Sequence, residues 1–103
     1  MNSIRSHSYF VYILTNKNKT VLYTGVTNNL YRRLSEHFEN AKPFRHSSFA
    51  GKYNAYHLLY YERYDWVENA IAREKEIKGW RRSKKEALIN TLNPEWIFLN
   101  DEV

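Results

Sequence analysis

At 103 residues the chain has room for one domain with a single modest core, and none for a second lobe. It contains no cysteine, which excludes disulfides, thiolate zinc sites and cysteine nucleophiles together, so a metal here must be held by oxygen or nitrogen. The formal charge of +5 favours a polyanionic partner such as nucleic acid, and it is unevenly spread: residues 1–60 hold eight Lys/Arg against two Asp/Glu, residues 61–103 eight against nine. No apolar run approaches the roughly 20 residues needed to cross a bilayer, and the N-terminus lacks the apolar core of a signal peptide, so the chain reads as soluble and cytoplasmic with no membrane partner.

Residues 8–15 (SYFVYILT) and 21–26 (VLYTGV) are rich in β-branched and aromatic residues and flank the polar TNKNK, which reads as a hairpin. The first run is apolar enough to be buried on both faces, as a central strand would be. Gly25 follows Tyr23 and, with backbone angles open to it alone, is expected to let the chain leave the strand. A helix is expected from Asn29 to about Asn40, capped by Asn28 or Asn29, with Leu30, Leu34 and Phe38 as its buried stripe. Arg33 and His37, four apart, share a face beside that stripe. The hairpin and helix together could therefore present two phenols (Tyr12 and Tyr23), a guanidinium and an imidazole to one point.

Residues 41–52 (AKPFRHSSFAGK) read as a loop in which Arg45 could meet a nucleic-acid backbone, although a solvated connector is the plainer reading. Residues 53–64 form a third strand, after which Asp65 is expected to cap a helix. In that helix Val67, Ala70, Ile71, Glu74 and Ile77 or Lys78 fall on one face, which sets a carboxylate in an apolar stripe. Gly79 ends it. Ser83 is expected to cap a last helix with Ala87, Leu88 and Leu92 inward, stopped at Asn93-Pro94. Between the two helices KGWRRSKK places Trp80 among Lys78, Arg81, Arg82, Lys84 and Lys85, which suits binding a nucleic-acid backbone with a stacking platform. Arg32 points about 100° from Arg33, toward backbone contacts or solvent.

Taken alone, strand tyrosines are core residues, a helix histidine is a surface group, and Glu74 is half of an ion pair with Arg33 or Lys78. The constellation changes that reading. Phe10-Val11-Tyr12 and Tyr23-Thr24-Gly25, with the tyrosines eleven positions apart, an arginine eight beyond the glycine, a histidine four further and Glu74 together resemble the GIY-YIG nuclease domain. The likeness runs over about residues 8–99 and is strongest to small stand-alone bacterial members, related to the N-terminal domain of a bacterial excinuclease.

The resemblance implies an α+β fold, a three-stranded antiparallel sheet flanked by helices in the order ββαβαα. It also implies a metal-dependent endonuclease hydrolysing DNA phosphodiester bonds, with a place in DNA repair or recombination. Its residues would be Tyr12, Tyr23, Arg33, His37 and Glu74, supported by Gly25 and Asn93, with Glu74 holding one Mg²⁺ or Mn²⁺. A domain this small has little surface for reading a long sequence, so DNA shape or weak sequence preference is expected. Phe10 stands where the first tripeptide has glycine, Thr24 replaces an aliphatic, and Val26 stands where some active members carry a lysine. The alternatives are a non-catalytic nucleic-acid-binding module on the same fold and a protein-interaction module using the aromatic surface.

Overall fold

The computed structural model describes residues 7–41 and 54–103. Its central element is β1 (Tyr9–Thr15), hydrogen-bonded to β2 (Leu22–Thr27) on one side and β3 (His57–Tyr64) on the other, all antiparallel, in the order β2-β1-β3. Val11 to Thr15 are all buried, so alternate residues of β1 must serve opposite faces. On one face Val11 and Ile13 pack with Ala70, Ile77 and Ile89 of the helices α2 (Val67–Lys78) and α3 (Arg82–Leu92). On the other, Tyr12 and Leu14 pack with Leu30 and Leu34 of α1 (Leu30–Asn40). The order ββαβαα thus stands, followed by a short 3₁₀ turn, Asn100–Glu102. No helix among the described residues is long and apolar enough to cross a membrane.

The hairpin is closed by Asn16, whose side-chain oxygen accepts from the amides of Thr20 (2.8 Å) and Val21 (3.2 Å). Opposite Ile13 and Leu14 the β3 register slips, pairing them with Tyr60 and Leu58. The extra residue, Leu59, therefore joins Tyr60 on the face covered by α2 and α3. The strand Y-x-E-x-Y also builds a polar clamp there. Arg73 of α2 donates to both Glu62 oxygens at 3.0 Å, and the Tyr60 and Tyr64 hydroxyls donate to the same carboxylate at 2.5 and 2.7 Å. Burial alone would raise the Glu62 pKa, but these donors hold it below the usual carboxylate value.

Several local expectations are corrected. Asn29 is the α1 cap, accepting from the Arg32 amide at 3.0 Å, but the helix turns His37 inward (1% exposed) and leaves Phe38 51% exposed. Asp65 does not cap α2; it pairs with Arg63 at 2.9 Å, and Trp66 holds the cap position without a side-chain bond. On α2 the buried stripe is narrower than expected, Ala70, Glu74 and Ile77, with Val67 and Ile71 exposed. Ser83 lies inside α3 rather than capping it, because Arg82 already ties that helix to the hairpin by donating to the carbonyls of Thr20 (2.7 Å) and Lys19 (2.9 Å). In α3 Ile89 is buried and Leu88 packs on the core, while Ala87 is exposed and Leu92 is 70% exposed. Gly79 does end α2, in ordinary right-handed geometry.

Candidate active site

Gly25 is directly opposite Tyr12 in the β1–β2 ladder. Its φ is not in the left-handed region, so backbone freedom is not what the position requires. A Cβ there would lie 2.5 Å from Tyr12 Cζ: the tyrosine ring lies across the bare glycine backbone. This leads the phenol to α1. Tyr12 Oη is 3.0 Å from His37 Nε2, and Arg33 Nε donates to Tyr12 Oη at 3.4 Å. Arg33 donates to the phenol oxygen, which leaves the Tyr12 O–H able to donate to Nε2 in the tautomer that carries its proton on Nδ1. Nδ1 has no partner among the described residues. Tyr23 completes the group, with its ring 5.3 Å from that of His37 and 6.5 Å from that of Tyr12.

Burial raises the Tyr12 pKa to about 12, against the hydrogen bond and charge of Arg33, so the phenol is neutral at rest. Burial, aided by the Arg33 charge, lowers His37 to about 4, so the imidazole is neutral and cannot supply a cation to a phenolate. Arg33 is disfavoured as a cation by burial, yet hydrogen bonds to Glu36 and Tyr12 raise its pKa above the ordinary value. Glu36, which receives Arg33 Nη1 at 2.8 Å, escaped the sequence reading; its i,i+3 spacing was the available signal.

Glu74 belongs to a different layer. Its helix, α2, packs on the opposite sheet face from α1, against β1 and the edge strand β2. The carboxylate is 9% exposed and its charge acts on Tyr12, while its ion-pair partner Lys78, Nζ to Oε2 2.7 Å, is linked by charge to Tyr23. Arg33, Tyr12 and His37 are hydrogen-bonded in a chain with the Tyr23 ring packed on His37, whereas Glu74 stands on the opposite sheet face and is related to them by its charge acting on Tyr12. Val26 points away from the phenols and packs with the α2 side of the core.

The supporting residues divide. Asn93 is spent on structure, donating to the carbonyls of Leu59 and Ile97 (both 2.9 Å) and accepting from the Ile97 amide at 3.1 Å, and has no bond to the five. Arg32 bonds Asn28 at 3.1 Å on an exposed helix face. Arg82 is committed to the hairpin carbonyls and Glu86. Trp80 carries Arg73 and Lys84 over its ring at 5.2 and 4.4 Å, which makes its stacking face a cation site. Arg81 is exposed at the start of α3, and Lys85 is half-buried. Arg45 lies outside the described residues. A cavity of about 470 Å³ opens on the other flank of α1, by Tyr31, Ser35 and Phe38, and does not include the five.

The buried neutral His37 makes acid stability a test of this arrangement. The unfolded chain takes up a proton near the ordinary histidine pKa of 6.5, the folded one only near 4, so stability is complete above 6.5 and falls as the pH drops through that window. The loss should approach about 3 kcal/mol by pH 4. Urea midpoints from pH 7.5 to 5 should fall for the wild type and flatten for His37→Gln; equal slopes would show that His37 is not held neutral.

A model of the GIY-YIG catalytic domain matches residues 8–87. A UPF0213 protein of Natronomonas pharaonis is 40% identical over 83 residues, covering 79% of this chain and 89% of that one. A UPF0213 protein of Syntrophus aciditrophicus is 36% identical over 94 residues, covering 84% and 93%. The solution NMR structure of a UPF0213 protein from Bacillus halodurans superposes with a TM-score of 0.53 at 28% identity, covering 86% of this chain and 89% of that one.

Proposed function

The chain belongs to the GIY-YIG catalytic domain family, and from that membership and the site's geometry we propose that it is a divalent-metal-dependent endonuclease acting on DNA. The observation that carries this reading is the continuous hydrogen-bonded path Arg33–Tyr12–His37 across a glycine that only a missing side chain leaves open. Phosphodiester hydrolysis needs a proton taken from the attacking water and charge stabilised on the phosphoryl oxygens. Tyr12 would take the water proton as its phenolate, which the Arg33 N–H on the same oxygen favours, while the neutral His37 orients the phenol; an imidazole held near pKa 4 does not keep the proton. Arg33, bonded to that same oxygen and one-third exposed, reaches a phosphate oxygen with its remaining N–H groups.

Glu74 is the residue that would hold the metal. It offers a single hard carboxylate already facing a cation, and no cluster of three His, Cys, Asp or Glu side chains occurs among the described residues. Such a donor set fits Mg²⁺ or Mn²⁺, which keep waters and take further oxygens from substrate phosphate. When bound, the ion supplies charge neutralisation at the phosphate. A domain of 103 residues offers little surface for reading a long sequence, which supports recognition of DNA shape or weak sequence preference, as in repair or recombination intermediates.

The decisive experiment is incubation with branched, nicked, single-stranded and double-stranded DNA in Mg²⁺, Mn²⁺ or EDTA beside a Glu74→Ala control. The Glu74–Lys78 ion pair favours one second reading, a module that binds DNA without cutting it. Wild-type protein that binds well and cuts nothing in either metal would establish that module instead. Arg33→Ala should cost both functions: removing a charge-assisted phosphate contact should weaken binding by about 1.5–3 kcal/mol, with a further loss in single-turnover rate. Unchanged binding by that variant would remove Arg33 from the phosphate site.

A further inference from the structure

The helix α2 carries two cations that each hold a little-exposed carboxylate, Arg73 on Glu62 and Lys78 on Glu74, and the pairs are built differently. Arg73 is locked, with two contacts to Glu62, a third to Glu76 and its guanidinium over Trp80. Lys78 holds Glu74 by a single contact at 2.7 Å; the lysine side chain is 53% exposed and the carboxylate side chain 11%. A desolvated carboxylate without a cation is costly, so positive charge must stand beside Glu74 in every state of the protein. A clamp like that of Arg73 would be permanent. A half-exposed lysine on a flexible stem can leave.

We propose that Lys78 is the resident counter-ion of the metal site, neutralising Glu74 when the divalent ion is absent and displaced from it when the ion binds. The inference rests on Glu74 being the metal ligand. A doubly charged ion on Glu74 and an ammonium within 3 Å of the same oxygens would repel strongly, so the two exclude each other. Two consequences follow. Lys78 weakens the intrinsic affinity for metal, which keeps the site neutral until substrate phosphate adds further oxygen ligands. Displacement then frees an ammonium at the C-terminal end of α2, and the site gains net positive charge as phosphate arrives.

Mn²⁺ alone is the probe, titrated into ¹⁵N-labelled protein while paramagnetic broadening of the amides around residue 74 is followed. Lys78→Met keeps the stem and removes the charge, and should tighten Mn²⁺ binding about tenfold. Lys78→Arg, whose fork can hold the carboxylate as Arg73 holds Glu62, should bind Mn²⁺ more weakly than wild type, and Glu74→Gln should lose the localised broadening. In unmodified protein, Mg²⁺ should shift the Lys78 side-chain resonances, a readout that does not depend on any variant folding. If Glu74→Gln loses the site but Lys78→Met binds as wild type and Mg²⁺ leaves the Lys78 resonances in place, the counter-ion role is overturned and the metal reading stands. If Glu74→Gln broadens like wild type, the metal assignment itself fails, and this inference with it.

Discussion

Replacing Glu74 with glutamine should reduce DNA cleavage by at least about a thousandfold while leaving DNA affinity unchanged or slightly improved. The side chain keeps its size and its buried position on α2, so packing against Ala70 and Ile77 is preserved. What it loses is the charge that selects a hard divalent ion. That charge contributes little to ground-state binding of a polyanion, and removing it relieves some repulsion of phosphate. Transition-state charge is another matter, because its neutralisation depends on the ion being held in place. Folding stability should change little, since the partner Lys78 is more than half exposed and can be solvated on its own. Single-turnover cleavage and equilibrium binding on a nicked or branched duplex, in Mg²⁺ or Mn²⁺, measure the two effects separately. A variant that still cuts at the wild-type rate would show that Glu74 is not the metal residue.

How far the sequence reveals this site depends on which interaction decides each residue. The strand β1 is legible because an unbroken apolar run has one stable place, between two layers, and the sheet puts it there. The pairing of Tyr12 with the neighbourhood of Tyr23 and Arg33 follows from the hairpin and the adjoining helix, all close in sequence. Helical spacing picks out His37 but sets it beside the buried stripe. Residue type alone argues for Phe38 inside, whereas the hydrogen bond from Tyr12, 25 positions away, turns the imidazole inward. In α3 the expected inward face holds at Leu88, which packs on the core, but not at Ala87 and Leu92, which are exposed beside the buried Ile89. Long-range polar contacts like that of Tyr12 with His37 leave no periodic trace. The Glu62–Arg73 clamp does leave one, in the alternation of Tyr60, Glu62 and Tyr64, but its partner can be found only once α2 lies against β3.

Gly25→Ala, a single methyl group, should cost cleavage about a hundredfold and stability about 1–3 kcal/mol, without touching any group that carries charge. The added carbon would sit 2.5 Å from Tyr12 Cζ, far inside contact distance, so one of the two must move. Alanine itself fits the backbone, because Gly25 is not in the left-handed region. The strand has little freedom either, being paired with β1 on one side and covered by α2. The tyrosine ring is what must yield, yet it is 1% exposed and packed among Leu30, Leu34 and Leu58. A displacement of about 1 Å would stretch the 3.0 Å contact to His37 and the 3.4 Å contact from Arg33 beyond hydrogen-bonding range. The variant should therefore fold, bind DNA and hold Mn²⁺ near residue 74 as wild type does, while cutting poorly. The companion change Tyr12→Phe separates the steric effect from the chemical one: it should cut as poorly as Gly25→Ala but remain more stable. If Gly25→Ala cleaves at the wild-type rate, the placement of Tyr12 between Arg33 and His37 does not matter to the reaction, and the catalytic role assigned to it has to be given up.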